Sequence, residues 1–210
     1  MKTNAGVDIL VTGFGPFPHV RVNPTTELAR QVARRLKAAS FKAEALILET
    51  SYAGGLPALR KHLDEARPKA VLMLGLAARA RFVRVELFAR GHSSRLHVDA
   101  TGKVPAGNGS GALPSRTTAN AEGALALLRR QGLRTRLSPS AGRYLCDASY
   151  AVSLAAAGRE GVPVLFVHVP WLRPGPGRKP KARVAGFRPA VPALVTALAG
   201  IGAAMARAGR

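Results

Sequence analysis

Short apolar runs that end at glycine and alternate with helix-forming stretches constrain this chain more than any other feature, because neighbouring parallel strands must be joined by long crossover segments. Val7-Asp8-Ile9-Leu10-Val11-Thr12 is stopped by Gly13, and Val71-Leu72-Met73-Leu74 by Gly75. Each reads as a buried strand, as do residues 43–48, 133–137 and the very apolar 162–169. Between them, Asn23-Pro24 offers a cap and a proline at the first helical position, ahead of a helix over 25–39. Further helices are expected over 56–66, where Pro68 breaks the pattern, and over 119–130, 146–156 and 189–206. The alternation predicts an α/β sheet covered by helices on both faces. Ligands of such folds gather at the carboxyl ends of the strands.

A chain of 210 residues, 47% hydrophobic, is long enough for one full α/β core and short for two, so a single domain over 1–210 is expected. One cysteine cannot form an internal disulfide, which points to a reducing compartment. The first apolar run meets glycine and proline before it could cross a bilayer, and a soluble cytoplasmic protein is expected. Two stretches break the alternation. Residues 91–117 are glycine-rich and polar, too long for an ordinary connection, and predict a functional or mobile loop. Residues 173–183, rich in Pro, Gly and Arg, read as an exposed flexible loop.

Charge is the odd feature: 32 Lys and Arg against 11 Asp and Glu give a formal net of +21. Such a field attracts polyanions, so a basic nucleic-acid or polyanion binder is one reading of the chain. The positive residues are nevertheless scattered, with no basic recognition helix, zinc module or aromatics interleaved with arginines. Specific nucleic-acid binding is therefore not expected.

Chemistry concentrates around Cys146, at the start of a predicted helix, and His168, in the strand Phe166-Val167-His168-Val169-Pro170. A thiolate is reactive near neutral pH when a cation or a helix N-terminus stabilises its charge, so the pair suggests a nucleophile with an imidazole base. A small buried cysteine and a satisfied core histidine are the bland alternative. Glu86, in the alternating stretch Arg81-Phe82-Val83-Arg84-Val85-Glu86-Leu87-Phe88, either orients that imidazole or forms a salt bridge with Arg84 or Arg90. Phe14 and Phe17, in Gly13-Phe14-Gly15-Pro16-Phe17, either pack against the next helix or wall an apolar ligand pocket. His92 and His97 lack a third ligand at suitable spacing, and no metal site is expected. His19 and His62 read as surface residues.

Taken together, Gly13-Phe14-Gly15-Pro16-Phe17 with Val22-Asn23-Pro24-Thr25, Gly75-Leu76-Ala77 leading to Glu86, Ala141-Gly142-Arg143-Tyr144-Leu145-Cys146, and Phe166-Val167-His168-Val169-Pro170-Trp171 resemble the pyroglutamyl peptidase I family, the pyrrolidone-carboxylate peptidases. The motifs run from the first strand to the last in the family's order. The resemblance implies a single-domain α/β/α sandwich with a mixed central sheet. It also implies a cysteine exopeptidase that removes N-terminal pyroglutamate from peptides through a thioester acyl-enzyme. Cys146 carries over as nucleophile, His168 as general base and acid, and Glu86 as the orienting carboxylate. Phe14 and Phe17 resemble the family's ring-contacting aromatics, Thr50, Leu76, Tyr144 and Leu145 its other pocket positions, and Asn23 the residue that steadies the loop. No metal or organic cofactor is implied; a homo-oligomer, often a tetramer, is.

Three departures bear on the site. The family usually has Asn directly after the nucleophile, whereas Asp147 places an anion beside the thiol unless its carboxylate caps helix N–H groups instead. Leu76 stands where Gln is common. The family's arginines on either side of the glutamate are out of register, with Arg79 and Arg81 flanking Ala80 before it and Arg95 the nearest candidate after it.

Overall fold

The computed structural model describes residues 6–106, 113–175 and 187–209. Strand β1 (Ile9–Phe14) runs through Gly13 instead of stopping there, and all six of its residues are buried. Glycine is required at that point by a close approach: a Cβ on Gly13 would collide with the Thr25 carbonyl of the following helix. That helix, α1 (Pro24–Ala38), opens as its sequence predicts. Asn23 caps it, its side-chain oxygen accepting from the Thr25 amide, and Leu28, Val32 and Leu36 form the buried stripe.

The chain continues through β2 (Ala43–Leu48), α2 (Gly55–Ala66), β3 (Val71–Leu76), β4 (Val83–Glu86) and the short β5 (Phe88–Ala89) and β6 (Ser115–Arg116). It closes with α3 (Ala121–Arg130), β7 (Thr135–Ser138), α4 (Leu145–Ala156), β8 (Val164–Val169) and α5 (Val191–Ala208). Six strands form one sheet in the order β2-β1-β3-β8-β4-β7. Its first four strands are parallel, whereas β4 runs antiparallel to β8 and parallel to β7, which makes the sheet mixed. Strands β5 and β6 pair separately.

Alternate residues of each strand face opposite layers. Ile9, Val11, Leu72, Leu74, Val83, Val85 and Val167 pack on α1, α3 and α5. Leu10, Val71, Met73, Val164 and Phe166 pack on α2 and α4. The result is the expected α/β/α sandwich. Among the described residues α5 is the one helix long and apolar enough to cross a bilayer. Its Leu194, Leu198, Ile201 and Met205 are buried in the core, which accounts for that composition.

The strand at 83–86 was legible only as alternation, since four residues carrying Arg84 and Glu86 look like surface. Burial explains the difference: Val83 and Val85 fill one layer while Glu86 is fully buried in the other. The 91–117 stretch is tied down where it is described. The Ser94 amide donates to the Arg143 carbonyl at 2.9 Å, the Ala100 amide to Thr50 at 2.9 Å and the Thr117 amide to Leu87 at 2.8 Å. Residues 107–112 of that stretch, and 176–183 of the expected loop at 173–183, lie outside the described residues.

Candidate active site

Antiparallel pairing of β4 with β8 sets Arg84 opposite His168 and Glu86 opposite Phe166. Glu86 and His168 are therefore diagonal neighbours on one face of the sheet, within reach of long side chains. Glu86 Oε1 lies 2.9 Å from His168 Nδ1, with the carboxylate fully buried. This pairing, not a salt bridge to Arg84 or Arg90, is where the Glu86 charge goes. With Nδ1 facing the carboxylate, Nε2 is the ring atom left for the thiol.

On the other side of His168, β3 places Gly75 directly opposite. A Cβ there would stand 2.8 Å from the Phe166 ring and 2.9 Å from His168 Cδ2. The missing side chain is what lets the imidazole lie against Phe166, at 4.7 Å between ring centroids. Cys146 approaches from above the sheet as the second residue of α4, half-buried, with Tyr144 extended at the N-cap. Burial of His168 opposes its cationic form. The Cys146 charge and hydrogen bond, joined by those of Glu86, overcome this and raise its pKa to about 9. The three predicted catalytic side chains thus converge.

The pocket beside them is lined by Phe14, Phe17, Asn23, Thr50, Leu76, Tyr144 and Leu145, along with Cys146 and His168. Every predicted substrate-contacting residue is in this set. Its volume is about 160 Å³, well below the ~300–1,000 Å³ of drug-sized sites, so it suits one small ring. Phe14 both packs and walls the pocket: it is 3% exposed and stacks on Phe166 at 6.4 Å. Phe17 faces Tyr144 at 6.5 Å.

Asn23 and Thr50, besides lining the pocket, hold its aromatic turn in place. Asn23 Nδ2 and Thr50 Oγ1 both donate to the Gly15 carbonyl, at 3.0 and 3.1 Å, while Thr25 Oγ1 accepts from the Phe14 amide at 3.0 Å. These bonds lock the aromatic turn.

Asp147 takes neither orientation that its position suggested. Its fully buried carboxylate turns away from its own helix and accepts the Arg90 amide at 2.8 Å and the His92 amide at 3.0 Å. Burial raises its pKa, and the Arg90, His92 and Gly91 amides partly offset that.

Sequence reasoning missed a further buried carboxylate, Asp99. It accepts from the Tyr52, Thr101 and Lys103 amides at 3.0, 2.8 and 3.0 Å and from Thr101 Oγ1 at 2.7 Å. Its pKa is lowered: burial acts against the carboxylate, but these donors outweigh it. The run Asp99-Ala100-Thr101-Gly102 carried a legible signal, because an Asp that bonds amides just ahead of a glycine marks a turn. Tyr52 was also missed; it meets Tyr144 edge-on at 6.1 Å. His62 keeps part of its side chain in solvent, with its Nε2 3.2 Å from Glu44 Oε2.

A thiol at a helix start, an imidazole against it and a buried carboxylate behind, all on an α/β/α sandwich, define a cysteine hydrolase. The sequence model for the pyroglutamyl peptidase family matches residues 7–208, and the chain belongs to that family. It is 30% identical over 176 residues to the pyrrolidone-carboxylate peptidase of Gloeobacter violaceus, covering 78% of this chain and 82% of that one. The Chromobacterium violaceum pyrrolidone-carboxylate peptidase is 29% identical over 168 residues, 78% of each chain. Among solved structures, pyrrolidone carboxyl peptidase from Thermus thermophilus superposes with a TM-score of 0.75 at 30% identity, covering 91% of this chain and 97% of that one. Pyroglutamyl peptidase I of Bacillus amyloliquefaciens shares the fold with a TM-score of 0.79 at 21% identity, over 95% of this chain and 96% of that one.

Proposed function

We propose that this chain is a cysteine exopeptidase that releases N-terminal pyroglutamate from peptides, with Cys146 as nucleophile, His168 as general base and acid, and Glu86 as the orienting carboxylate. The observation that carries the reading is the meeting of Glu86, His168 and Cys146 at a small, aromatic-walled pocket. Pyroglutamate is an uncharged lactam, which an apolar slot without a counter-charge suits.

The steps follow from the geometry. His168, held by Glu86, takes the Cys146 proton, and the thiolate attacks the pyroglutamyl carbonyl carbon to form a tetrahedral adduct. The Leu145 and Cys146 amides precede the first hydrogen bond of α4 and stand at the positive end of its dipole, where a developing oxyanion is stabilised. Collapse breaks the C–N bond; His168 returns the proton to the departing amine, leaving a thioester on Cys146. Water, deprotonated by His168, then hydrolyses the thioester and releases pyroglutamate and the thiol.

The same proposal takes residues 1–210 as one domain, places the protein in the cytoplasm and allows a homo-oligomer, a tetramer by resemblance, which sedimentation would count. The relatives named above are peptidases, and no observation at the site favours a polyanion-binding role. The test is hydrolysis of a pyroglutamyl fluorogenic amide by the wild type and by Cys146→Ala, with prolyl and alanyl amides as controls. Turnover of the pyroglutamyl amide by the wild type alone supports the reading. Activity surviving in Cys146→Ala rejects the nucleophile, and equal use of all three amides rejects the specificity.

A further inference from the structure

A second cleft of about 350 Å³ adjoins the ring pocket and shares two of its walls, Phe17 and Tyr144. Its remaining lining comes from Pro18 and His19 on one side and from Leu96, His97 and Val98 on the other. Leu96 and Val98 are among the few large apolar side chains this fold leaves exposed, at 89% and 43%. Folding does not use them. A ring pocket of about 160 Å³ has no room for the rest of a peptide, so the residue after pyroglutamate must lie outside it.

The wall at 96–98 is fixed in place although it sits in a loop. Asp147 holds the backbone at Arg90 and His92, and Asp99 binds the Thr101 and Lys103 amides and, from another part of the chain, the Tyr52 amide. Tyr144 Oη donates to the Val98 carbonyl at 3.0 Å, and the His97 ring meets Tyr144 edge-on at 6.5 Å. Two carboxylates with little solvent exposure thus brace the two ends of one short segment, and the nucleophile's own helix supplies one of them. An exposed apolar pair on a braced segment beside a reaction centre is a binding surface.

We propose that this cleft is the subsite for the residue that follows pyroglutamate, and that it takes a large apolar side chain, aliphatic or aromatic. The inference rests on the peptidase reading above. Asp147 and Asp99 act as positioning residues for it, through the segment they hold.

The experiment compares kcat/KM for release of pyroglutamate from pyroglutamyl-Phe-amide, pyroglutamyl-Leu-amide and pyroglutamyl-Gly-amide. The wild type should prefer the Phe and Leu peptides by about tenfold or more, the scale of one well-filled apolar subsite. Leu96→Ser and Val98→Ser should bring that ratio down towards one. Both residues are exposed, so folding is not at stake. Asp99→Asn should lower the same ratio through KM and speed amide hydrogen exchange over residues 90–103. Equal rates on the three peptides in the wild type, or a ratio unmoved by Leu96→Ser and Val98→Ser, overturn the subsite while leaving the peptidase reading intact. No release from any of them by the wild type overturns both.

Discussion

Glu86 Oε1 stands 2.9 Å from His168 Nδ1 across the one antiparallel boundary on either side of β8. Glu86→Gln keeps the shape but removes the charge that holds the ring in one tautomer. The expected result is a fall in kcat of about 10²–10⁴ with KM little changed, by analogy with loss of the acid in other triads. Steady-state kinetics on a pyroglutamyl amide measure it; a change confined to KM would contradict the assigned role.

The pH response follows from the raised pKa of His168, from 6.5 to about 9. A group whose folded pKa is raised contributes stability in full below its unfolded value and loses it as the pH climbs through the folded one. His168 therefore stabilises the fold at pH 6 and ceases to do so above about pH 9, a change on the order of 3 kcal/mol. Urea melts between pH 6 and 10 should show stability falling across that interval in the wild type and much less in Cys146→Ala. The alkaline limb of kcat/KM should fall in the same interval, as the imidazolium that protonates the amine is lost.

Gly75→Ala places a methyl against Phe166 and His168 Cδ2. Overpacking of this kind costs roughly 1–3 kcal/mol, and displacing the imidazole would disturb its alignment with Glu86. We expect a lowered melting temperature with a kcat loss of about 100-fold, the scale of a 1 Å misplacement. A variant as active as the wild type would show that His168 is not held where its chemistry requires.

Asn23→Ala removes the cap of α1 and one of the two donors on the Gly15 carbonyl. Loss of such a cap costs about 1 kcal/mol, and freeing the turn should raise KM more than it lowers kcat. Thermal unfolding and the KM for a pyroglutamyl amide check the two halves separately.

Much of this architecture could be read from residues alone because local signals agreed with the global fold. Asn23-Pro24 announces α1, and the uninterrupted apolar run ending at His168 announces a strand buried on both faces. What stayed illegible was set by distant partners. Nothing near Glu86 in sequence says that it is fully buried, since its partner lies 82 residues away. Asp147 looked like a charge beside a thiol, yet its carboxylate serves amides 55 to 57 residues away. Gly13 and Gly75 looked like strand ends and are strand interiors, because what demands glycine is a neighbour's backbone or ring, which a one-dimensional pattern does not display.

The most direct test of the account is to quench the protein during turnover of a pyroglutamyl ester at acid pH and map the acylated residue by mass spectrometry. The account predicts a pyroglutamyl group on Cys146, longer-lived in Glu86→Gln and absent in Cys146→Ala. Acylation at any other residue, or turnover at the wild-type rate in Cys146→Ala, would contradict it.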